Sequence, residues 1–370
     1  MPLPRVDLRR ERFERQIMQK SPTRKIVFDA KNFYSLTGVP NYISGLIRAI
    51  HEARPEIEFH AIGQRRYDLG EISAFCSWRT EQIGFLQKIK PNLWLKLFAH
   101  RLIQSDEVFL AGATLVPLFL RNNKIFSIAY DLNHLLVPQT MSFGNRWTQR
   151  IFFKRDLANA QYRLCISQGT RNRLKKHLGI EAEGVLLPSP IRLDLVSSDE
   201  YKAIIKSLGL EKFILFVGTL EPRKNLRLLL QIFPKLRAIH PEIELVIVGG
   251  KGWKMNGTQS MPTGVRVLGF VDHRTLVALY QSCSCFVLPS IYEGFGMPVL
   301  EARLLGAQTA CTDLPEMREA GGEETIYFKP TPEAILEGLQ KALATNRKQN
   351  YSVHHDQTLP TNLMTWLDEI

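Results

Sequence analysis

Short continuous apolar runs alternate with segments of helical periodicity almost from Lys25 to the C-terminus. In the first half the runs are KIVFDA (25–30), IEFHAIG (57–63), VFLA (108–111), KIFSIAY (124–130), YRLCIS (162–167) and GVLLP (184–188). Between them the period changes. From Val39 to Ala53, Ile43, Leu46, Ile47 and Ile50 recur at spacings of three, one and three, which marks one face of a helix. The region Trp147 to Asn159 reads likewise. The second half repeats the scheme more cleanly, with strands FILFVG (213–218), IELVIVG (243–249), VRVLGF (265–270), SCFVLP (284–289), QTACT (308–312) and TIYF (325–328). Helices are predicted at 225–239, 273–282, 297–306 and 331–345. Runs that are apolar at consecutive positions predict strands covered on both faces, hence parallel sheets. Repeated strand–helix units of this kind build doubly wound α/β domains. The expected architecture is two doubly wound, Rossmann-like parallel-sheet domains facing a cleft and joined near Ser189 to Ser198. Residues 1–195 form the first and 196–350 the second; 351–370 is a C-terminal segment docking back on the body through a terminal helix at Asn362 to Ile370.

Composition narrows this picture. With 45% hydrophobic and 23% charged residues, the 370-residue chain has the make-up of an ordinary globular protein. That excludes wholesale disorder, a collagen-like repeat and a disulfide scaffold. The longest strongly apolar stretch, Val108 to Leu120, holds Gly112 and Pro117 and is shorter than the about 20 residues a spanning helix needs. The opening MPLPRVDLRRERFERQIMQK has charges where a signal peptide needs an apolar core, so a cytoplasmic location is expected. Cys76, Cys165, Cys283, Cys285 and Cys311 are odd in number and form no C-x-x-C pair, which points to reduced thiols and no metal site. Charge is unevenly spread. Residues 1–190 hold 29 Lys and Arg against 16 Asp and Glu, whereas residues 191–370 hold 19 against 20. A basic first half calls for an anionic partner: phosphate, nucleic acid or a membrane surface. No nucleic-acid recognition motif accompanies it, so no nucleic-acid partner is expected.

In open parallel sheets ligands sit at the carboxyl ends of strands. After FILFVG comes TLEPRKN, which places Arg223 and Lys224 on a strand-to-helix loop at that edge. Adjacent cations there suit a diphosphate, Arg offering a fork of donors and Lys a mobile point charge; the plain alternative is two solvated loop charges. After SCFVLP comes SIYEGFGMPVLEARLLGA. Gly294 and Gly296 allow close approach of the backbone to a ligand. Pro298 fits the first turn of a helix, and the N–H groups of Phe295 to Leu300 are expected to form an anion site. Glu293 and Glu301 flank this junction and can accept paired hydroxyl hydrogen bonds from a sugar. Their plain alternatives are an exposed loop acid and an acid placed favourably near a helix N-terminus.

The EGFGMPVLE run, with FVGTLEPRKN upstream and IVGG between, resembles the retaining nucleotide-sugar glycosyltransferases of family four (group 1), which have the GT-B fold. LGFVD (268–272), LYQSCSCFVLPS and TDLPEMREAGG (312–322) extend the likeness. The first half agrees through FDAKNFYSLTGVPNYI and CISQGTRNRLKKHLG (165–179). The resemblance implies that Arg223 and Lys224 bind the donor diphosphate, that Glu293 contacts the transferred sugar and that Glu301 holds the ribose. Backbone from Gly294 through Phe295 and Gly296 to Met297 would cradle sugar and diphosphate. Gly38 would approach the same phosphates, and Gly218, Gly249, Gly250 and Val271 would line the nucleotide. It further implies a metal-independent hexosyl transfer with no cofactor beyond the sugar-nucleotide co-substrate. GDP-mannose is the preferred donor, because the loop resembles the mannosyltransferase-like branch.

One departure stands out. Many family members have His-Asp-Leu after the strand that here ends in Tyr130-Asp131-Leu132. Tyr130 can donate a hydrogen bond but carries no charge at neutral pH; Tyr130 and Asp131 are kept among the catalytic candidates, and His134 is a possible substitute or an unrelated loop histidine. Two rival functions remain: a nucleotide-sugar epimerase on the same fold, and a catalytically silent partner subunit. The acceptor is expected to be a saccharide, polyprenyl-diphosphate-linked, with the chain peripheral on the inner face of the cell membrane. The segment GFLQKIKPNLWLKLFAHRL (84–102) carries Trp94, Phe98 and Leu102 at i, i+4 and i+8, beside Leu93 and Leu97, with Lys88, Lys90, Lys96 and Arg101 interspersed. It reads either as an interfacial helix for anionic lipid or as a helix packed on the first sheet.

Overall fold

Thirteen strands are present in the computed structural model, which describes residues 24–34, 38–80, 88–120, 123–189, 196–250, 261–345 and 359–369. Of the expectations above, the charged N-terminus, the junction at 190–195, the start of the 84–102 segment and much of the polar stretch before the last helix lie outside those residues. The first seven strands are β1 (Lys25–Asp29), β2 (Glu58–Ile62), β3 (Cys76–Arg79), β4 (Val108–Ala111), β5 (Lys124–Ala129), β6 (Tyr162–Cys165) and β7 (Gly184–Val185). They form one sheet in the order β3-β2-β1-β4-β5-β6-β7. β1 pairs in parallel with β2 and β4, β2 with β3, and β6 with β7. The second sheet comprises β8 (Phe213–Val217), β9 (Glu244–Val248), β10 (Val265–Gly269), β11 (Cys285–Leu288), β12 (Thr309–Thr312) and β13 (Ile326–Phe328), in the order β10-β9-β8-β11-β12-β13. All five of its pairings are parallel. Both orders match doubly wound sheets, which confirms the expected fold class.

The continuous apolar runs behave as their pattern demands. Every residue of β4, β8, β11 and β12 is buried. β3 has no such run, because it is half-exposed and alternates Ser77 and Arg79 with Cys76 and Trp78; for that reason it escapes a reading of apolar stretches. The helix Val39–Ala53 buries Tyr42, Ile43, Leu46, Ile47 and Ile50 and has Pro40 in its first turn. The 273–282 helix begins where the Asp272 side chain accepts the N–H of Thr275. Ser198–Ser207 is a further helix near the expected junction, capped by the Ser197 hydroxyl.

The chain forms two compact units, Met1–Gly112 with Val116–Phe126, and Ala113–Leu115 with Ser127–Ile370. In the first, the segment from Lys90 onward is helical only over Pro91–Leu97, followed by a 3-10 turn at Ala99–Leu102. Trp94, Leu95 and Lys96 are buried, and Lys96 Nζ donates to the Val116 carbonyl at 2.8 Å. The stripe that begins at Trp94 therefore packs inward, and Lys96 is no surface cation. In the second unit, Phe153, Leu157, Cys165, Leu174 and Ile180 share one apolar cluster. All five cysteines are free thiols. No described helix is long and apolar enough to cross a membrane.

Candidate functional site

The order of the second sheet reverses between β8 and β11, and a crevice forms outside the carboxyl ends of strands at such a switch point. Arg223 and Lys224 follow β8 on a 3-10 turn at Pro222–Lys224, and Glu293 follows β11. Asn225 closes the turn in the left-handed region (φ 58°), a conformation Asn tolerates better than most residues, and the helix Leu226–Ile239 starts from it.

Glu293 joins the two loops. Its Oε1 accepts Lys224 Nζ at 2.8 Å and the Ser290 hydroxyl at 2.6 Å, and its Oε2 accepts Arg223 Nη1. Arg223 also donates to the Tyr292 carbonyl at 3.0 Å and, through Nη2, to Glu221, while its own carbonyl accepts the Ile291 N–H at 2.8 Å. Lys224, Glu221 and Glu293 are buried. Burial alone would raise the Glu293 pKa, but Arg223, Lys224 and the hydrogen bonds outweigh it and hold the carboxyl at about 2. Burial alone would lower that of Arg223; the carboxylates of Glu293, Glu221 and Asp131 more than offset this and keep the guanidinium charged. A carboxylate has about four lone-pair sites, and the three donors leave Glu293 capacity for one more, such as a sugar hydroxyl.

Asp131 lies within electrostatic reach of Arg223. Its oxygens accept the Asn133 backbone N–H at 3.0 Å and side-chain amide at 2.7 Å, and burial pushes its pKa up against the pull of Arg223. The Leu132 N–H donates to the Tyr292 hydroxyl at 2.9 Å. Tyr130 meets the loop through its backbone: a Cβ on Gly294 would lie 2.1 Å from the Tyr130 carbonyl oxygen. The Gly294 carbonyl in turn accepts the hydroxyls of Ser167 at 2.7 Å and Thr170 at 3.0 Å. His134 is buried against the Phe153 ring, and desolvation lowers its pKa to about 4. It is a neutral core histidine and no stand-in for a charged donor.

Gly296 (φ 109°) opens the helix Met297–Leu304, with Pro298 in its first turn. The expected anion site is narrower than Phe295 to Leu300, because Val299 and Leu300 donate their N–H groups to the Gly296 carbonyl inside the helix and Pro298 has none. Among the described residues, the N–H groups of Phe295, Gly296 and Met297 keep no internal acceptor. Glu301 is half-buried on this helix, accepts the Tyr280 hydroxyl at 2.9 Å and stands within electrostatic reach of Lys224. Burial raises its pKa to about 7 despite the hydrogen bond from Tyr280.

The glycines after β8 and β9 pack backbone on backbone. A Cβ on Gly249 would lie 2.1 Å from the Gly218 carbonyl oxygen, and one on Gly250 would strike the Phe270 ring at 2.2 Å. Val271 follows Phe270 and is half-buried. Gly38 belongs to the first unit, where it precedes the Val39–Ala53 helix with φ 59°. Residue-by-residue reading missed Ser290, Glu221, Tyr292, Ser167 and Thr170. Ser290 and Glu221 had a signal, since they lie three and two residues before the charges they hold; Ser167 and Thr170 lie in the CISQGTRNRLKKHLG segment that carries the family resemblance, but nothing in its spacing pointed to the loop they anchor.

Residues 197–354 match the family described as Glycosyl transferases group 1. O-antigen chain mannosyltransferase B of Escherichia coli is 35% identical over 133 residues, which cover 33% of this chain and 34% of that protein, so the chain spans about a third of that relative's length in the match. Sucrose-phosphate synthase of Thermosynechococcus elongatus superposes with a TM-score of 0.67 at 18% identity, over 87% of this chain and 90% of its own. HepE of Anabaena, solved in complex with UDP-glucose, gives 0.65 at 16% identity over 86% and 90%. The last two likenesses bear on the fold, a GT-B pair of Rossmann-like domains.

Proposed function

We propose, from the match of residues 197–354 to the group 1 glycosyl transferases, that the chain moves a hexosyl residue, mannosyl by preference, from a nucleoside-diphosphate sugar to a saccharide acceptor. The observation that carries the proposal is the Arg223–Lys224–Glu293 cluster at the switch point of the second sheet. Arg223 and Lys224 bind the diphosphate and meet the charge that grows on it as the sugar–phosphate bond ionises. The N–H groups of Phe295, Gly296 and Met297 add dipoles aimed at the same anion. Glu293 keeps both cations in place and takes a sugar hydroxyl with its remaining capacity. Glu301 accepts the ribose hydroxyls, and Gly218, Gly249, Gly250 and Val271 line the nucleotide.

The acceptor attacks the face the leaving group departs from, and the departing phosphate takes the acceptor proton, so the anomeric configuration is retained. Asp131, next to Tyr130, stands ready beside Arg223 to orient the sugar. With two cations to neutralise the leaving group, the transfer runs without a metal. GDP-mannose is the proposed donor, supported by the mannosyltransferase relative, and a polyprenyl-diphosphate-linked saccharide at an anionic membrane surface the proposed acceptor. Incubation with GDP-mannose in the presence of EDTA, followed by NMR of the product linkage, tests the reaction. Retained configuration with undiminished rate is expected. An inverted linkage overturns the mechanism, and loss of activity on chelation overturns metal independence.

A further inference from the structure

The helix Phe143–Ala158 is apolar on two sides. Its inner side is satisfied, with Phe153 and Leu157 buried in the cluster of Cys165, Leu174 and Ile180. Its outer side carries Phe143, Trp147 and Ile151 at i, i+4 and i+8, exposed by 77%, 50% and 56%. The Phe143 and Trp147 rings meet edge to face at 6.0 Å, so the outer stripe is continuous. Folding has no need of it. At about 100° per residue, Lys154 lies in line with the stripe, while Arg150 and Arg155 border it on either side and Arg146 stands beyond Arg150. Among the described residues none of these four cations forms an ion pair, and the helix's one acid, Asp156, is buried.

We propose that this helix docks the chain on an anionic lipid bilayer. Phe143, Trp147 and Ile151 enter the boundary between headgroups and acyl chains, and the four cations meet lipid phosphates. The choice of partner rests on charge complementarity. A nucleic acid would satisfy the cations and leave three large apolar side chains in water. A second copy paired through the same stripe would bring two sets of four cations face to face, a costly juxtaposition. A bilayer surface takes both, since indole and phenyl rings settle at headgroup depth and basic side chains follow the negative potential. The inference deepens the anionic membrane surface of the proposed function by naming the helix that meets it. Docking is read without donor or acceptor, so either can fail alone.

The test is co-sedimentation of the full chain with vesicles of phosphatidylcholine alone, or with about one third phosphatidylglycerol, from low to about 0.5 M salt. Binding is expected with the anionic vesicles, fading with salt, and not with the neutral ones. Each cation removed should weaken it about fivefold, so R150E with K154E should abolish it. F143S with W147S should weaken it about tenfold or more with the charge intact. All four positions are on the exposed side, and an unchanged melting temperature establishes that the variants fold. K88E with K90E, on the 84–102 segment, should bind as wild type does. Binding that survives both pairs of helix substitutions overturns the proposal. So does equal binding to neutral vesicles, or gel filtration showing a dimer that F143S with W147S dissociates.

Discussion

A buried carboxylate that accepts from Arg223, Lys224 and Ser290 cannot be removed without leaving, among the described residues, Lys224 unpaired and Arg223 with Glu221 as its one ion-pair partner. Glu293→Ala is therefore expected to cost about 3–5 kcal/mol of stability, the usual penalty for breaking a buried pair from one side, and to reduce turnover more than donor affinity. A denaturant titration beside steady-state kinetics checks both halves. A loss confined to donor affinity would mean that Glu293 only tethers the cations. Arg223→Ala and Lys224→Ala should each weaken diphosphate binding about ten- to hundredfold, the worth of one charged contact. The two acids of the site titrate in opposite senses. Glu293, held at about 2, adds stability that is present above its ordinary value of 4.5 and is lost as pH falls from there through 2. Glu301, raised by burial to about 7, adds stability that is full below 4.5 and is lost as pH rises through 7. If the ionised Glu301 accepts ribose hydroxyls, affinity for a sugar nucleotide should rise as pH passes 7, and Glu301→Gln should flatten that rise. A wild-type profile that is flat from pH 6 to about 8 would contradict the ribose role.

The loop from Ser290 to Gly296 takes its shape from an element distant in sequence. Ser167 caps the helix Gln168–Leu178 by accepting the Thr170 N–H, and both hydroxyls donate to the Gly294 carbonyl. Ser167→Ala and Thr170→Val should each cost about 1 kcal/mol, with the effect appearing in donor turnover before it appears in the melting temperature. Gly294→Ala is harsher. Its Cβ would sit 2.1 Å from the Tyr130 carbonyl, so the loop has to move and transfer should collapse. Wild-type kinetics in all three variants would refute the anchoring role. The same loop marks how far the sequence could be read. The strands that flank it, β8 and β11, are apolar at every position and were legible outright, and their order places Arg223, Lys224 and Glu293 together. The partnership of Gly294 with Ser167, 127 residues away, is a product of chain packing and leaves no local period. Burial decides what the pattern left open. The basic aromatic stripe at 84–102 read equally as an interfacial helix or as one packed on the first sheet, and Trp94 and Lys96 are inside; the exposed stripe lies on Phe143–Ala158, where the same spacing had read only as helix. Periodicity reports that a helix has an apolar side; it cannot say which of two apolar sides the core claims.

Across the whole molecule, two parallel sheets share one winding order, but the candidate chemistry is concentrated at the switch of the second. At the corresponding switch of the first sheet, between β1 and β4, Asp29 and Lys31 form a buried ion pair that no cation–carboxylate cluster surrounds among the described residues. The charge imbalance follows the same division, with the excess of Lys and Arg in residues 1–190 and near balance beyond. Neutral charge overall in the second half gives no long-range attraction for a nucleotide, so affinity there has to come from Arg223, Lys224 and the N–H groups of Phe295 to Met297 at close range. The most direct measurement of that claim is calorimetric titration of the full chain with GDP, UDP and dTDP, repeated on Lys224→Ala. If the cluster holds a nucleoside diphosphate, one of the three binds, GDP by preference, and Lys224→Ala weakens it about ten- to hundredfold. Binding of none of them, or an affinity that Lys224→Ala leaves unchanged, contradicts the assignment of the β8–β11 crevice to a sugar nucleotide.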